Sequence, residues 1–355
     1  MLRYAPLDEV SRAVSAAPLG VEEVPIWEAV GRVLAEDAVA VRPVPPRPIS
    51  LVDGYAVRSA DCSSASRSSP VRLRVVRSVF LGEEPGSISR GEAAYVATDA
   101  PLPEGADSVL PLEAARLYGG RLVATGPQPP GANVLPAGAD APLGRVLLER
   151  GRPVGPADLD LMADAGLTSV RVFRRPRVAL IPVGSELSRD PSQGKVEVRS
   201  VLTAEVLRRN GAEPLVMPVA RDDPGDIAGL VEEALSSADV VATLGGASVG
   251  RRDLVWPTLA GMDGFEPVFR GMRVKPGRVT SMARVRGRPV VLLAGHFQSL
   301  IVGLAYALLP LVRSMAGLDP SPLVRVGRGR LLSLIHISEP TRPRLISYAV
   351  FCLKK

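Results

Sequence analysis

Cysteine, histidine, lysine and aromatic residues are all scarce in this chain of 355 residues. Two cysteines, Cys62 and Cys352, and two histidines, His296 and His336, give neither a disulfide framework nor a metal-ligand spacing. Aromatics at 4 % are too sparse to interleave with basic residues, so no nucleic-acid partner is expected. No run of 18 apolar residues occurs, and the opening stretch Met1–Val10 lacks the pattern of a secretory leader. A soluble, cytoplasmic protein with no membrane partner is the expectation. Lysine is confined to Lys195, Lys275, Lys354 and Lys355, against 39 arginines.

Isoleucine is also scarce until the end. Six occur before Ser333, and three more (Ile335, Ile337, Ile346) fall within residues 333–355. That segment also holds two of the four lysines, one of the two histidines and one of the two cysteines. It resembles translated sequencing-adapter read-through and is expected to be non-native. Its net charge of +3 is half of the chain's +6, which further weakens any case for a polyanion such as nucleic acid.

What is present is a hydrophobic fraction of 46 % with 34 glycines and 34 prolines, enough for real cores interrupted by many turns. Residues 6–17 read as a short helix, and 24–40 as an extended stretch that turns helical over Ala29–Leu34. Pro43, Pro45, Pro46 and Pro48 form a stiff linker leading to Asp53-Gly54, a turn signal that leaves Asp53 exposed. From 71 to about 135, alternating stretches separated by Gly- and Pro-rich turns predict a small β-rich domain. Residues 156–166 make a helix begun near Pro156 and stopped at Gly166.

From 176 the pattern becomes strand–helix alternation, which predicts a doubly wound α/β domain. Predicted strands end at Gly184, Gly245 and Gly295, and in such sheets ligands bind beyond the carboxyl ends of the strands. Gly245-Gly246 brings backbone N–H groups close to an anion, Ser248 adds a hydroxyl, and Asp253 returns a carboxylate suited to Mg²⁺. The same stretch also fits a plain strand-to-helix turn with a surface Asp. A second stretch sets Arg270, Arg273, Lys275 and Arg278 around Pro276-Gly277. A lysine in a chain that otherwise uses arginine suggests a need for a compact ammonium. A solvated charge run beside a turn fits it as well.

Six motifs, in order, resemble the MoeA/gephyrin E-domain family of molybdopterin molybdenumtransferases. They are Ser50–Ala56 (SxxDGYA), Gly131–Asp140 (GxNV with a following GxD), Gly184–Leu187 (GxEL), Arg221–Pro224 (RDDP), Gly245–Asp253 (GGxSxGxxD) and Lys275–Arg278 (KPGR). The resemblance implies insertion of molybdate, or tungstate, into adenylylated molybdopterin with release of AMP and assistance from Mg²⁺. It implies Asp222 and Asp253 as the metal-side carboxylates, and Glu186, Lys275 and Asp53 as further catalytic groups. Substrate would be held by Gly245, Gly246, Ser248, Arg273, Pro276, Gly277, Arg278, Thr98, Gly295, His296 and Ser299. The resemblance also implies a homodimer in which Asp53 and Thr98 reach the partner's cleft, with the molybdopterin adenylyltransferase as a further partner.

The domains expected are an N-terminal helix and elongated linker (1–42 and 141–175), a β-rich insertion (43–140) and the molybdopterin-binding-like α/β domain (176–319). The start of a missing C-terminal β domain (320–332) and the non-native tail (333–355) would come after them. Three departures stand out. The family's Thr-Gly-Ala is Thr98-Asp99-Ala100, its arginine after GxNV is Leu135, and its Pro-Gly-Asn-Pro is Ala294-Gly295-His296-Phe297. His296 either contacts an anion or fills that loop. Two alternatives remain: a non-catalytic pterin-binding scaffold, and a molybdopterin adenylyltransferase, which would resemble 176–316 alone.

Overall fold

A computed structural model describes residues 4–247 and 253–321. Ser248, most of the segment expected to open a C-terminal β domain, and the tail from Ser333 lie outside the described residues. The chain forms two compact units: one holds the described residues up to Glu22, Gly31–Val33 and those from Phe173 onward, the other Glu23–Val30 and Leu34–Val172.

The first unit begins with α1 (Leu7–Ala13). It is shorter than the expected 6–17 and ends with Val14 as its C-cap. Val10 and Val14 are nonetheless buried, in the same core as Leu300, Val302 and Leu308. That packing places the N-terminal segment with the α/β unit, a grouping different from the expected one of 1–42 with 141–175. The chain then alternates β1 (Arg177–Pro182), α2 (Arg199–Arg208), β2 (Glu213–Val216), α3 (Pro224–Ser237) and β3 (Val240–Leu244). It continues with α4 (Val255–Ala260), β4 (Phe265–Arg270), β5 (Ser281–Val285), β6 (Arg288–Leu293) and α5 (Phe297–Met315).

Sheet order is β2-β1-β3-β6-β5-β4. The first four strands are parallel, and β5 and β4 extend the sheet antiparallel. The sheet is therefore mixed, with β4 a strand that the sequence pattern did not reveal. Alternation along the strands divides the core. Val178, Leu180, Val240, Ala242 and Leu244 face α2 and α5, while Ala179, Ile181 and Val241 face α3 and α4. Pro224 at the first turn and the Asp223 carboxylate, which accepts the Gly225 and Asp226 amides at 2.9 and 3.0 Å, start α3. Among the described residues, α5 is long and apolar enough to cross a membrane, yet it is mostly buried in this core.

The second unit carries a six-stranded sheet built from Ser108–Pro111, Gly54–Val57, Glu92–Val96, Val71–Val79, Arg121–Ala124 and Arg116–Tyr118, in that order. Asp53 is exposed as expected, but Gly54–Val57 is a fully buried central strand rather than a turn. The helix expected over Ala29–Leu34 is absent. A single 3₁₀ turn at Ile26–Glu28 stands before it, and Leu34 bridges Val172 in extended form. The predicted 156–166 helix is Asp158–Asp164, closed by Gly166 at φ +85°.

At the amino edge of the α/β sheet, Asp239 locks β1 to β3. The Arg174 guanidinium holds it as a fork at 3.0 and 2.8 Å, and the Arg177 amide donates at 2.8 Å. Burial acts to raise the Asp239 carboxyl, but these hydrogen bonds and the Arg174 and Arg288 charges together hold it below the usual carboxylate range. The stability it contributes is thus fully present above an unfolded value of about 3.9 and is lost as pH falls through the lower folded value. Asp239→Asn is expected to lower unfolding free energy at pH 7 by about 1.5–3 kcal/mol, with the gap to the parent protein closing below about pH 4. Denaturant titration across that range measures it, and a gap that stays constant with pH would contradict the assignment.

Candidate active site

The cleft forms where three parallel strands stop at one level. Pro182 of β1 pairs with Leu244 of β3, and Leu244 with Leu293 of β6. Beyond them Val183 donates to Leu244 at 3.1 Å and Gly245 donates to Leu293 at 3.0 Å, so the ladder runs one step past the strands before the chains diverge. The resulting cavity, about 450 Å³, is lined by the turns after β1, β3 and β6 and by the loop ahead of α2.

Gly245 and Gly246 have φ of +120° and +61°. A methyl at Gly245 would lie 2.3 Å from the Val183 carbonyl oxygen, and one at Gly246 would lie 2.6 Å from Val255 Cγ2. Both positions require glycine, for backbone conformation and for space. That turn is what lets the β3 backbone reach the cavity floor.

Three carboxylates, Glu186, Asp222 and Asp253, line the cavity. Asp222 is oriented by a reciprocal pair: the Ser185 amide donates to its Oδ2 at 3.0 Å, and the Asp222 amide donates to Ser185 Oγ at 2.9 Å. This pair ties the β1 turn to the loop after β2, whose Ala220 also bridges Val183. Glu186 folds back toward its own turn, since a methyl at Gly184 would lie 2.8 Å from its Oε2. Among the described residues, no three His, Cys, Asp or Glu side chains are grouped closely enough to form a metal cage by themselves.

Of the residues expected to form the site, the structure brings together Glu186, Asp222, Asp253, Gly245, Gly246, Gly295 and His296. It does not place Arg273, Lys275, Pro276, Gly277, Arg278 or Ser299 among the lining residues. The Lys275 loop is anchored elsewhere. Arg273 donates its amide to Ala5 at 2.8 Å, Arg278 lies 5.0 Å over the Tyr4 ring, and Gly277 abuts Val302 of α5. The side chains of Arg273, Lys275 and Arg278 are exposed, and the loop packs against Tyr4 and Ala5, ahead of α1, and against α5.

On the second unit, Asp53 Oδ1 accepts hydrogen bonds from the Thr98 amide at 2.8 Å and from Thr98 Oγ1 at 3.2 Å. Asp99 stands at φ +64°, the left-handed conformation that Asp tolerates better than most residues and that glycine would adopt freely. Leu135 pairs in a short strand with Ile49.

Two lining residues, Lys195 and Arg199, were not singled out as site residues from sequence. The scarcity of lysine that drew attention to Lys275 applies equally to Lys195. Arg199 carries no comparable signal among 39 arginines.

Comparison with known proteins shows what the two units are similar to. Residues 5–166 match the family described as "MoeA N-terminal region (domain I and II)", and residues 179–314 match "Probable molybdopterin binding domain". A molybdopterin molybdenumtransferase 2 of Mycobacterium tuberculosis is 32 % identical over 310 residues, covering 84 % of this chain and 76 % of that protein. A molybdopterin molybdenumtransferase of Nostoc sp. is 30 % identical over 306 residues, covering 84 % and 70 % respectively. The crystal structure of a molybdopterin biosynthesis moea protein from Pyrococcus horikosii superposes with a TM-score of 0.75 at 34 % identity, covering 89 % of this chain and 81 % of that one.

Gly245→Ala tests the floor of the cavity. The added methyl must displace the Val183 carbonyl, so the variant is expected to lose on the order of 1–3 kcal/mol of stability and to lose anion binding with it. Thermal unfolding and AMP titration measure the two effects; unchanged values for both would remove Gly245 from the cavity floor.

Proposed function

The chain belongs to the molybdopterin molybdenumtransferase family and acts in molybdenum cofactor biosynthesis, and on that premise we propose that its cleft joins molybdate to adenylylated molybdopterin with release of AMP. The observation that carries this reading is the meeting of Glu186, Asp222 and Asp253 with the Gly245-Gly246 turn in one cavity. An acidic wall alone repels a phosphorylated substrate; an acidic wall that can hold a divalent cation attracts one.

The donor set fits Mg²⁺. Carboxylate oxygens are hard ligands, and the lack of a closed protein cage among the described residues suits an ion that keeps several waters and takes one or two carboxylates together with substrate phosphate. Asp222 and Asp253 are the residues that would hold it, with Glu186 beside them. When bound, Mg²⁺ would neutralise phosphate charge and polarise a phosphoryl oxygen. The protein's own part is orientation. Ser185 fixes Asp222, and the glycine turn offers its backbone to the anion at a strand end. Molybdate and tungstate are both tetrahedral dianions, and either is a substrate on this reading.

We extend the proposal to a homodimer in which Asp53, held by Thr98, serves the partner's cleft, and in which the molybdopterin adenylyltransferase delivers the adenylylated pterin. A non-catalytic scaffold is the alternative that the same experiments distinguish.

Asp253→Asn is expected to abolish Mg²⁺-dependent AMP release while thermal unfolding stays unchanged. Activity retained with the same Mg²⁺ dependence would overturn the assignment, and absence of AMP release in the parent protein would favour the scaffold. The dimer is tested by mixing Asp53→Ala with Asp253→Asn. Hybrid dimers are expected to regain part of the lost activity, whereas verified hybrids with none would place both residues in one subunit's site.

A further inference from the structure

A cavity with three carboxylates must also hold the negative oxygens of its substrate, and the cations that do so have to be within reach. The Lys275 loop does not line the cavity. Among the described residues, the cations that do are Lys195, exposed in the strand segment Lys195–Val196, and Arg199, half-buried at the first position of α2. Arg199 lies over the cavity floor. A methyl at Gly295 would lie 3.9 Å from Arg199 Nη1 and 3.5 Å from Gly245 Cα, so the guanidinium stands beside the turns that leave both β3 and β6.

Nothing in the described protein uses that guanidinium. Its backbone amide donates to Glu197, but among the described residues its side chain makes neither a hydrogen bond nor an ion pair. Glu186 and Asp222 line the same cavity, yet neither pairs with it. The opening amides of α2 are not the attraction, because the buried Glu197 carboxylate already accepts from Arg199 and Ser200 at 2.8 and 2.9 Å and from the Ser200 hydroxyl. What is left for a ligand is the fork itself, five donors in a plane, partly withdrawn from water and set beside the strand ends.

We propose that Arg199 is the anion-holding residue of this cleft, binding two oxygens of a tetrahedral oxyanion of the substrate in bidentate fashion, with Lys195 as a rim charge that assists its entry. The inference rests on the proposed function. It deepens that reading by dividing the cleft into a carboxylate wall for the cation and a guanidinium wall for the oxyanion. A bidentate arginine suits a tetrahedral group with adjacent equivalent oxygens, and both the adenylate phosphate and molybdate present such a face.

The test is binding to the full chain, by calorimetry in the presence of Mg²⁺, with AMP in one arm and molybdate in the other. Arg199→Ala is expected to weaken one arm by roughly ten- to hundred-fold, the scale of a charge-assisted hydrogen bond. The arm that weakens identifies the oxyanion. Arg199→Lys is expected to restore part of the affinity through charge alone, a recovery that a purely structural role would not predict. Lys195→Ala is expected to cost less than about five-fold, with a steeper loss at low salt. Equal affinities of the parent protein and both Arg199 variants in both arms would overturn the proposal while leaving the proposed function in place. A parent protein that binds neither ligand and releases no AMP would remove that function and this inference together.

Discussion

The parallel register of β1, β3 and β6 is the constraint on which the rest of the site depends. Because Pro182, Leu244 and Leu293 sit at one level, the chain leaves three adjacent strands along a single rim. The turns leaving that rim carry most of the lining: Gly184 and Glu186 after β1, Gly245 and Gly246 after β3, Gly295 and His296 after β6. A shift of one residue in β3 would turn its buried faces over, putting Val241 and Thr243 where Ala242 and Leu244 now pack, and would move the glycines off the floor. The hydrophobic core thus fixes the site's geometry at second hand, through strand register.

Charge at the two ends of this sheet is handled in opposite ways. At the amino edge, Asp239 is satisfied by the Arg174 fork and the Arg177 amide, and its carboxyl is held low in consequence. At the carboxyl edge, Arg199 has no acceptor among the described residues although carboxylates line the same cavity. A folded protein satisfies buried charge where stability is the only demand. An unpaired, half-buried guanidinium is tolerated where a ligand completes it.

Much of this is legible in the sequence. The three glycine-terminated strands, Asp253 and the exposed Asp53 are marked by local signals, apolar runs ending in glycine and acidic residues at turns, whereas Glu186 and Asp222 come only from the family resemblance. What was not legible came from tertiary packing. β4 carries a proline and charges on an antiparallel edge, so neither alternation nor a buried apolar run betrays it. The α1 segment looks like part of a linker until Val10 and Val14 are seen in the core with α5. Lys195 and Arg199 lie in a stretch without a motif, and only the loop's return to the rim brings them to the cavity.

The Lys275 loop is positioned by its own packing. Its glycine packs against Val302 on α5, six residues along the helix from His296, which lines the cavity. At the helical rise that separation is about 9 Å along the axis. Exposed Arg273, Lys275 and Arg278 are not among the residues that line this cavity, and from there their charge reaches an anion through a field that salt screens over about 8 Å. Arg199, against Gly295, is within contact range of the same ligand. On the proposed reading the two groups of cations differ in kind: one raises the local concentration of an anion and is sensitive to salt, the other sets where its oxygens come to rest.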